Sequence, residues 1–299
     1  MLTASQSVLT HQFDSTAEYS SLLRQNTPAS RMMMAYTRRP PGKEYLKAVL
    51  ADKINSLIEH KDLELEINPL KVYEMLLSQQ TDLEGTEALP RGITGDEAAA
   101  RADVQEIIEP RVQGLIGVAN SFLDTIIAGL EEIPYGIRWI CKQIRSLSRR
   151  KYPDASNETI CTLIGGFFFL RFINPAIISP ASYMVIDSTP AENPRRTLTY
   201  VAKMLQNLAN KPTTSKEDYM TAVLQPFTQQ NRERMSAFLL EICEVQDFYE
   251  SLELDNYVAL SKKDLELKIT LNEVYSMHEM LHEHEEQLVS HSITQPIPS

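Results

Sequence analysis

Arg196-Thr197-Leu198-Thr199-Tyr200-Val201-Ala202-Lys203-Met204-Leu205-Gln206-Asn207-Leu208-Ala209-Asn210 carries two interleaved patterns of one period. Leu198, Val201, Ala202, Leu205, Leu208 and Ala209 recur at the spacing of one helix face and read as core. Thr199, Lys203, Gln206 and Asn210 form a second stripe, uncharged apart from Lys203. That stripe is either an ordinary exposed face or a polar surface that meets another protein.

Outward from this segment the same spacing recurs, and glycine is sparse at 10 in 299 residues. Both favour helix over sheet and predict an all-α fold. Residues 1–23 read as an amphipathic helix. Thr27-Pro28 reads as the cap and first turn of a second, which Pro40-Pro41-Gly42 breaks. A helix over 43–60 follows, and Asn68-Pro69 opens the next. Residues 81–96 read as a loop, with Asp96 as a helix cap, and Pro110 as a start or kink of the segment reaching about 130. Helices are expected over 137–151 and 156–173, the latter ended by Asn174-Pro175, and over 196–210 after a polar loop at 186–195. From 228 onward the pattern predicts two long helices with an acidic surface.

The bulk numbers exclude some classes. With 43% hydrophobic and 23% charged residues the chain has an ordinary globular balance. Its net charge of −11 argues against nucleic-acid binding, which needs a basic surface. No apolar run reaches the length of a membrane span, and the first residues lack the pattern of a secretory signal. Three widely separated cysteines, Cys141, Cys161 and Cys243, suit a reducing compartment.

Arg171 lies in Gly166-Phe167-Phe168-Phe169-Leu170-Arg171-Phe172-Ile173, too apolar on all sides for a surface helix. Its guanidinium must be satisfied by carbonyls or carboxylates, because an unpaired buried charge costs several kcal/mol. It therefore anchors a neighbouring loop, whether or not that loop carries chemistry. Arg24, in Leu22-Leu23-Arg24-Gln25-Asn26-Thr27, sits between two helices; such an arginine either is merely solvated or projects into a partner. His278, His282 and His284 stand among Glu279, Glu283, Glu285 and Glu286 and read as a solvated helix face, so no metal is expected. Met32-Met33-Met34 reads as core packing. Arg138, Lys142, Arg145, Arg149, Arg150 and Lys151 form a basic stripe: a solvated face by default, or a surface for an acidic partner or anionic lipid. No phosphate-cradling Gly-Lys-Ser/Thr loop and no nucleophile–base constellation is present, so the chain is not expected to hydrolyse a nucleotide alone.

Phe169-Leu170-Arg171-Phe172-Ile173-Asn174-Pro175-Ala176-Ile177-Ile178-Ser179-Pro180 closely resembles the signature of Ras GTPase-activating domains, in the form found in neurofibromin and the IQGAP proteins. Leu22 to Ser30 resembles the finger-loop segment of that family, and Ala202 to Asn210 a third family block. Ile133 to Arg138 and Tyr152-Pro153-Asp154 are most similar to the IQGAP branch. The resemblance implies an all-helical domain over 1–250 with a shallow groove for a GTPase, and a helical extension over 251–299. It implies that Arg24 enters the partner's nucleotide site in trans and that Arg171 holds the finger loop by its carbonyls. Asn174 and Pro175 would end their helix and shape the groove wall. Asn26, Thr27, Arg196, Lys203, Gln206 and Asn210 would contact the GTPase. No cofactor is implied; Mg²⁺ and GTP would come with a Ras-family GTPase in its GTP form. The place of action would be the cytoplasm, at inner membrane faces where the GTPase is anchored.

Two departures matter. Animal IQGAP proteins lack the finger arginine, whereas Arg24 is present here, as expected of a Ras activator built on an IQGAP-like domain, which some fungal proteins are. Thr199 stands where relatives such as neurofibromin carry lysine. The competing expectation is an IQGAP-type scaffold that binds GTP-loaded Rho-family GTPases without stimulating hydrolysis.

Overall fold

Helical periodicity is realised as helices throughout, with no strand among the described residues. The computed structural model describes residues 2–16, 22–23, 25–60, 63–80, 90–210, 218–246 and 269–285. The chain forms two compact units, Met1–Gln246 and Asp247–Ser299. In the second, the helix Leu271–Glu283 opens on a Thr270–Glu273 capping box, and its Leu271, Val274, Tyr275 and Leu281 are exposed. The three histidines of this segment belong to no group of three or more metal-ligating side chains among the described residues.

The first unit contains α1 (Leu2–Ser15), α2 (Pro28–Thr37), α3 (Pro40–Glu59), α4 (Pro69–Gln80), α5 (Gly95–Ala99) and α6 (Ala102–Ala128). It continues with α7 (Tyr135–Lys151), α8 (Asn157–Phe167), a π-helical turn (Phe168–Ile173), α9 (Asn174–Ile178), α10 (Glu192–Asn210) and α11 (Asp218–Glu241). Local chemistry explains most starts. Thr27 and Ser30 form a reciprocal capping box on α2, with Pro28 in the first turn. Asn68 Oδ1 accepts from the Leu70 N–H at 3.0 Å to open α4.

Several boundaries differ from expectation. The first helix stops at Ser15 because the N–H and hydroxyl of Thr16 and the hydroxyl of Ser15 all converge on the Gln12 carbonyl. Pro40 and Pro41 do not merely break a helix; they begin α3, where a missing N–H costs nothing. Gly42 closes that corner: a Cβ there would lie 2.1 Å from the Thr37 carbonyl oxygen. Thr94, not Asp96, caps α5, since Glu97 reaches back to its N–H at 2.7 Å. Pro110 lies inside α6, Pro194 lies in the first turn of α10, and α11 begins at Asp218 with Pro226 inside it.

Helix α10 is the hub, packed against α6, α8, α9 and α11. Its core stripe, Leu198, Val201, Ala202, Leu205, Leu208 and Ala209, is wholly buried. Gly165 of α8 lets the two helices meet: an added Cβ would stand 2.9 Å from the Ala209 Cβ. Below them Phe168 makes edge contacts with Phe169, Phe172 and Phe238, and Tyr45 stacks on Phe172. Because α8 runs through the π-helical turn into α9, Asn157–Ile178 is long and apolar enough to cross a membrane, contrary to expectation. Its most apolar window is 78% buried inside the protein, as a core helix requires.

The basic stripe of α7 has an internal partner. Lys142 Nζ donates to the Val245 carbonyl at 2.6 Å, and Arg138 Nη2 to that of Glu244 at 3.0 Å. Arg145 pairs with the Glu244 carboxylate, which holds that carboxyl below its ordinary pKa. These cations thus take up carbonyls at and just past the C-terminus of α11, where the helix dipole is negative. A solvated face or lipid surface is the wrong reading for these three residues.

Candidate functional site

Lys203, Gln206 and Asn210 of the second stripe border a groove of about 670 Å³ between α9, α10 and α11. Leu170, Pro175, Ile178, Ala202, Met220 and Leu224 give it an apolar lining; Asn174, Lys203, Gln206 and Asn210 bring polar groups to it. Lys203 is exposed, while Gln206, Asn210 and Thr199 are half-buried. Asn174, only 5% exposed, donates from Nδ2 to Gln206 Oε1 at 2.8 Å and ties the groove's two walls together. Five expected site residues, Asn174, Pro175, Lys203, Gln206 and Asn210, therefore converge on one cavity.

Asn174-Pro175 does not end its helix as expected. The Asn174 N–H bonds the Phe169 carbonyl five residues back, the signature of the π-helical turn. Widening the turn accommodates Pro175, whose ring would clash with the fourth carbonyl back in a regular α-helix, and the chain continues helical to Ile178. The turn also divides labour. Leu170 and Asn174 line the groove, while Arg171 bonds to the α1–α2 connector.

Arg171 is half-buried and donates from Nη2 to the Gln25 carbonyl at 3.1 Å. The predicted anchoring of a loop by this guanidinium is what the geometry displays. Arg24 itself lies outside the described residues. On its N-terminal side, Leu22 and Leu23 are each 1% exposed, and Leu23 adopts a left-handed φ of 61°. That backbone costs about 1–3 kcal/mol for a side-chain-bearing residue and persists only where packing over-determines it. Asn26 is exposed. Thr27 is half-buried and committed to the α2 cap; its hydroxyl also donates to Gln12 Oε1 at 2.9 Å.

Arg196 stands apart from the groove. It contacts Glu66 at 3.2 Å, Glu192 at 2.8 Å and, more distantly, Glu64. Glu66, 2% exposed, also accepts from the Tyr200 hydroxyl and from the Asn68 N–H at 2.9 Å. Burial and the Glu66 charge push the Tyr200 phenol well above its ordinary pKa, so it stays a hydrogen-bond donor. This polar knot fastens α10 to residues 64–68. A second hollow of about 390 Å³ beside it is lined by Lys71, Arg195, Arg196, Thr199 and Lys203, so Lys203 is common to both cavities. Sequence reasoning missed Gln12, Leu23 and Glu66. Of these, only Glu66 carried a signal, an acid flanked by Leu65 and Ile67.

The unit is therefore a helical domain with a partly apolar groove and an α1–α2 connector held by Arg171, the neighbour in sequence of groove-lining Leu170. The chain belongs to the family described as GTPase-activator protein for Ras-like GTPase, whose family model matches residues 5–210. Among its relatives is Ras GTPase-activating-like protein gapA of Dictyostelium discoideum, 34% identical over 87% of this chain and 31% of that protein. Ras GTPase-activating-like protein IQGAP2 of Mus musculus is 28% identical over 89% of this chain and 17% of its own length. Ras GTPase-activating protein 1 of Rattus norvegicus is 28% identical over 91% of this chain and 22% of its own. The chain thus spans about a third or less of the curated relatives it matches.

Proposed function

We propose that this domain accelerates GTP hydrolysis by a Ras-family small GTPase in its GTP form, with Arg24 supplied in trans as the catalytic arginine. The observation that carries the reading is the bond from Arg171 to the Gln25 carbonyl, one residue from Arg24 and one residue from groove-lining Leu170. With Leu22 and Leu23 buried on the other side, both flanks of position 24 are held. A guanidinium on a held backbone can stabilise the charge that develops on a transferred phosphoryl group without reorganising at the moment of reaction. The groove supplies apolar contact for the partner, and Lys203, Gln206 and Asn210 supply polar complementarity. Asn174 and Pro175 shape the wall, and Asn26 and Thr27 sit on the connector that meets the partner, whereas Arg196, expected among the contacts, is instead engaged by Glu66 and Glu192. Mg²⁺ and nucleotide arrive with the GTPase, and no group here acts as a general base. The place of action is the cytoplasmic face of membranes that carry the GTPase.

Single-turnover hydrolysis tests the reading. Arg24→Ala lowers the stimulated rate by about 10³-fold, a scale taken from Ras activators generally and not from this geometry. Binding changes far less. An unchanged rate rules out Arg24 as the finger.

The likeness to IQGAP2 favours a second reading, a scaffold that grips a GTP-loaded Rho-family protein and leaves its GTP intact. Hydrolysis and pull-down measured together on GTP-loaded Ras and Rho proteins separate the two. Firm Rho binding with GTP retained, and no stimulation of Ras, selects the scaffold.

A further inference from the structure

The function proposed above uses one brace on the connector, and the structure contains another. Arg171 holds the carbonyl of Gln25, where the connector returns toward α2. At the other end Lys151, the last residue of α7, donates from Nζ to the carbonyls of Phe13 and Thr16. Those carbonyls belong to the last turn of α1 and the residue just beyond it, from which the connector departs. Carbonyls at a helix C-terminus lack intrahelical donors and carry partial negative charge, so an ammonium there supplies both donors and complementary charge. The neighbouring Arg150–Asp14 pair, at 3.1 Å, is exposed on both sides and adds little.

The held turn does not stand alone. Thr16 donates its N–H and its hydroxyl to the Gln12 carbonyl, at 3.1 and 2.7 Å. The Gln12 side chain, 8% exposed, accepts from Thr27, the cap of α2. Lys151 therefore fixes a turn to which the far end of the connector is also fastened. A shift of Phe13 and Thr16 displaces both ends of the segment that carries residue 24.

We propose that Lys151 is a positioning residue for the catalytic arginine: by holding the Phe13 and Thr16 carbonyls it sets where the connector leaves α1, as Arg171 sets where it returns. This rests on the Arg24 reading. A long cation is required at the end of α7. Arginine meets that need, and methionine, which keeps the apolar stem without the charge or donors, does not.

The test uses the whole chain as Lys151→Met and Lys151→Arg, each with and without Arg24→Ala, in single-turnover hydrolysis by a GTP-loaded Ras protein over a range of domain concentrations. Lys151→Met lowers the saturating rate by about 10- to 100-fold, the effect of roughly 1 Å of misplacement, with half-saturation nearly unchanged. Lys151→Arg recovers most of the rate, and in the Arg24→Ala background Lys151→Met changes nothing further. Native-state hydrogen exchange supplies a readout independent of catalysis: the Thr16 amide exchanges faster in Lys151→Met and normally in Lys151→Arg. If Lys151→Met is insoluble, Lys151→Gln takes its place. An undiminished saturating rate in a folded Lys151→Met protein overturns the inference, as does an equal loss in both Arg24 backgrounds. If Arg24→Ala itself is without effect, the function proposed above fails instead, and unchanged Thr16 exchange in Lys151→Met then overturns the brace as well.

Discussion

Replacing Arg171 with alanine removes a charge-assisted N–H···O bond of 3.1 Å to the Gln25 carbonyl. Hydrogen bonds to charged groups contribute about 1.5–3 kcal/mol net. Arg171 is half-buried, so solvent screening places this one near the lower limit, about 1.5 kcal/mol. Where that energy holds the connector in its competent arrangement, losing it lowers the ratio of competent to incompetent connector about tenfold, because 1.4 kcal/mol is a factor of ten. The saturating single-turnover rate therefore falls, by at most about tenfold, well short of the roughly 10³-fold expected on losing the finger itself. For a unit of this size the same energy lowers Tm by about 3–6 °C. Hydrolysis at saturating domain and thermal unfolding by circular dichroism are measured on one preparation. A reduced Tm with an unchanged saturating rate refutes the reasoning, since the bond would then serve the fold and not the connector. Arg171→Lys keeps the charge but has a shorter reach, and should fall between the two.

Two further outcomes follow from packing and charge. Gly165→Val forces a side chain against the Ala209 Cβ and carbonyl, 2.9 and 3.0 Å from the new Cβ; this costs about 1–3 kcal/mol, readable in urea unfolding, and disturbs the groove wall on α10. The Glu244 carboxyl is held below its ordinary pKa of 4.5 by its hydrogen bond from Arg145 and by that residue's charge. Its contribution is therefore complete at neutral pH and disappears as pH falls through the lowered value. Glu244→Gln should lower Tm at pH 7 and converge with the parent protein in acid; a difference that does not shrink as the solution is acidified contradicts the assignment.

How much of this was legible follows from the range of the interactions involved. The buried stripe of α10 was readable because core periodicity is a property of one helix. The Thr27-Pro28 cap was readable because its partner, Ser30, is three residues away. The need for a carbonyl partner at Arg171 was readable from its apolar surroundings, but Gln25, 146 residues away in sequence, was not. Asn174-Pro175 misled because proline ordinarily ends a helix, and the widened turn that admits it leaves no mark in periodicity. The basic stripe misled for a similar reason: acid-free helix faces are usually solvated, and the carbonyls that engage Arg138 and Lys142 lie more than 100 residues downstream. Arg196 looked like one more cation near the groove until Glu66 and Glu192 closed around it.

Sequence alone determined the helical class, the Thr27 cap, the inner face of α10 and the family, because periodicity, capping and a contiguous signature are all encoded within a few turns of chain. Tertiary structure decided that Asn174, Lys203, Gln206 and Asn210 share one groove, that α7 caps α11, and that Lys151 and Arg171 grip the connector from opposite ends. Each of these depends on packing that brings distant helices into register, and only then can an ammonium or guanidinium find the unpaired carbonyls that fix its place.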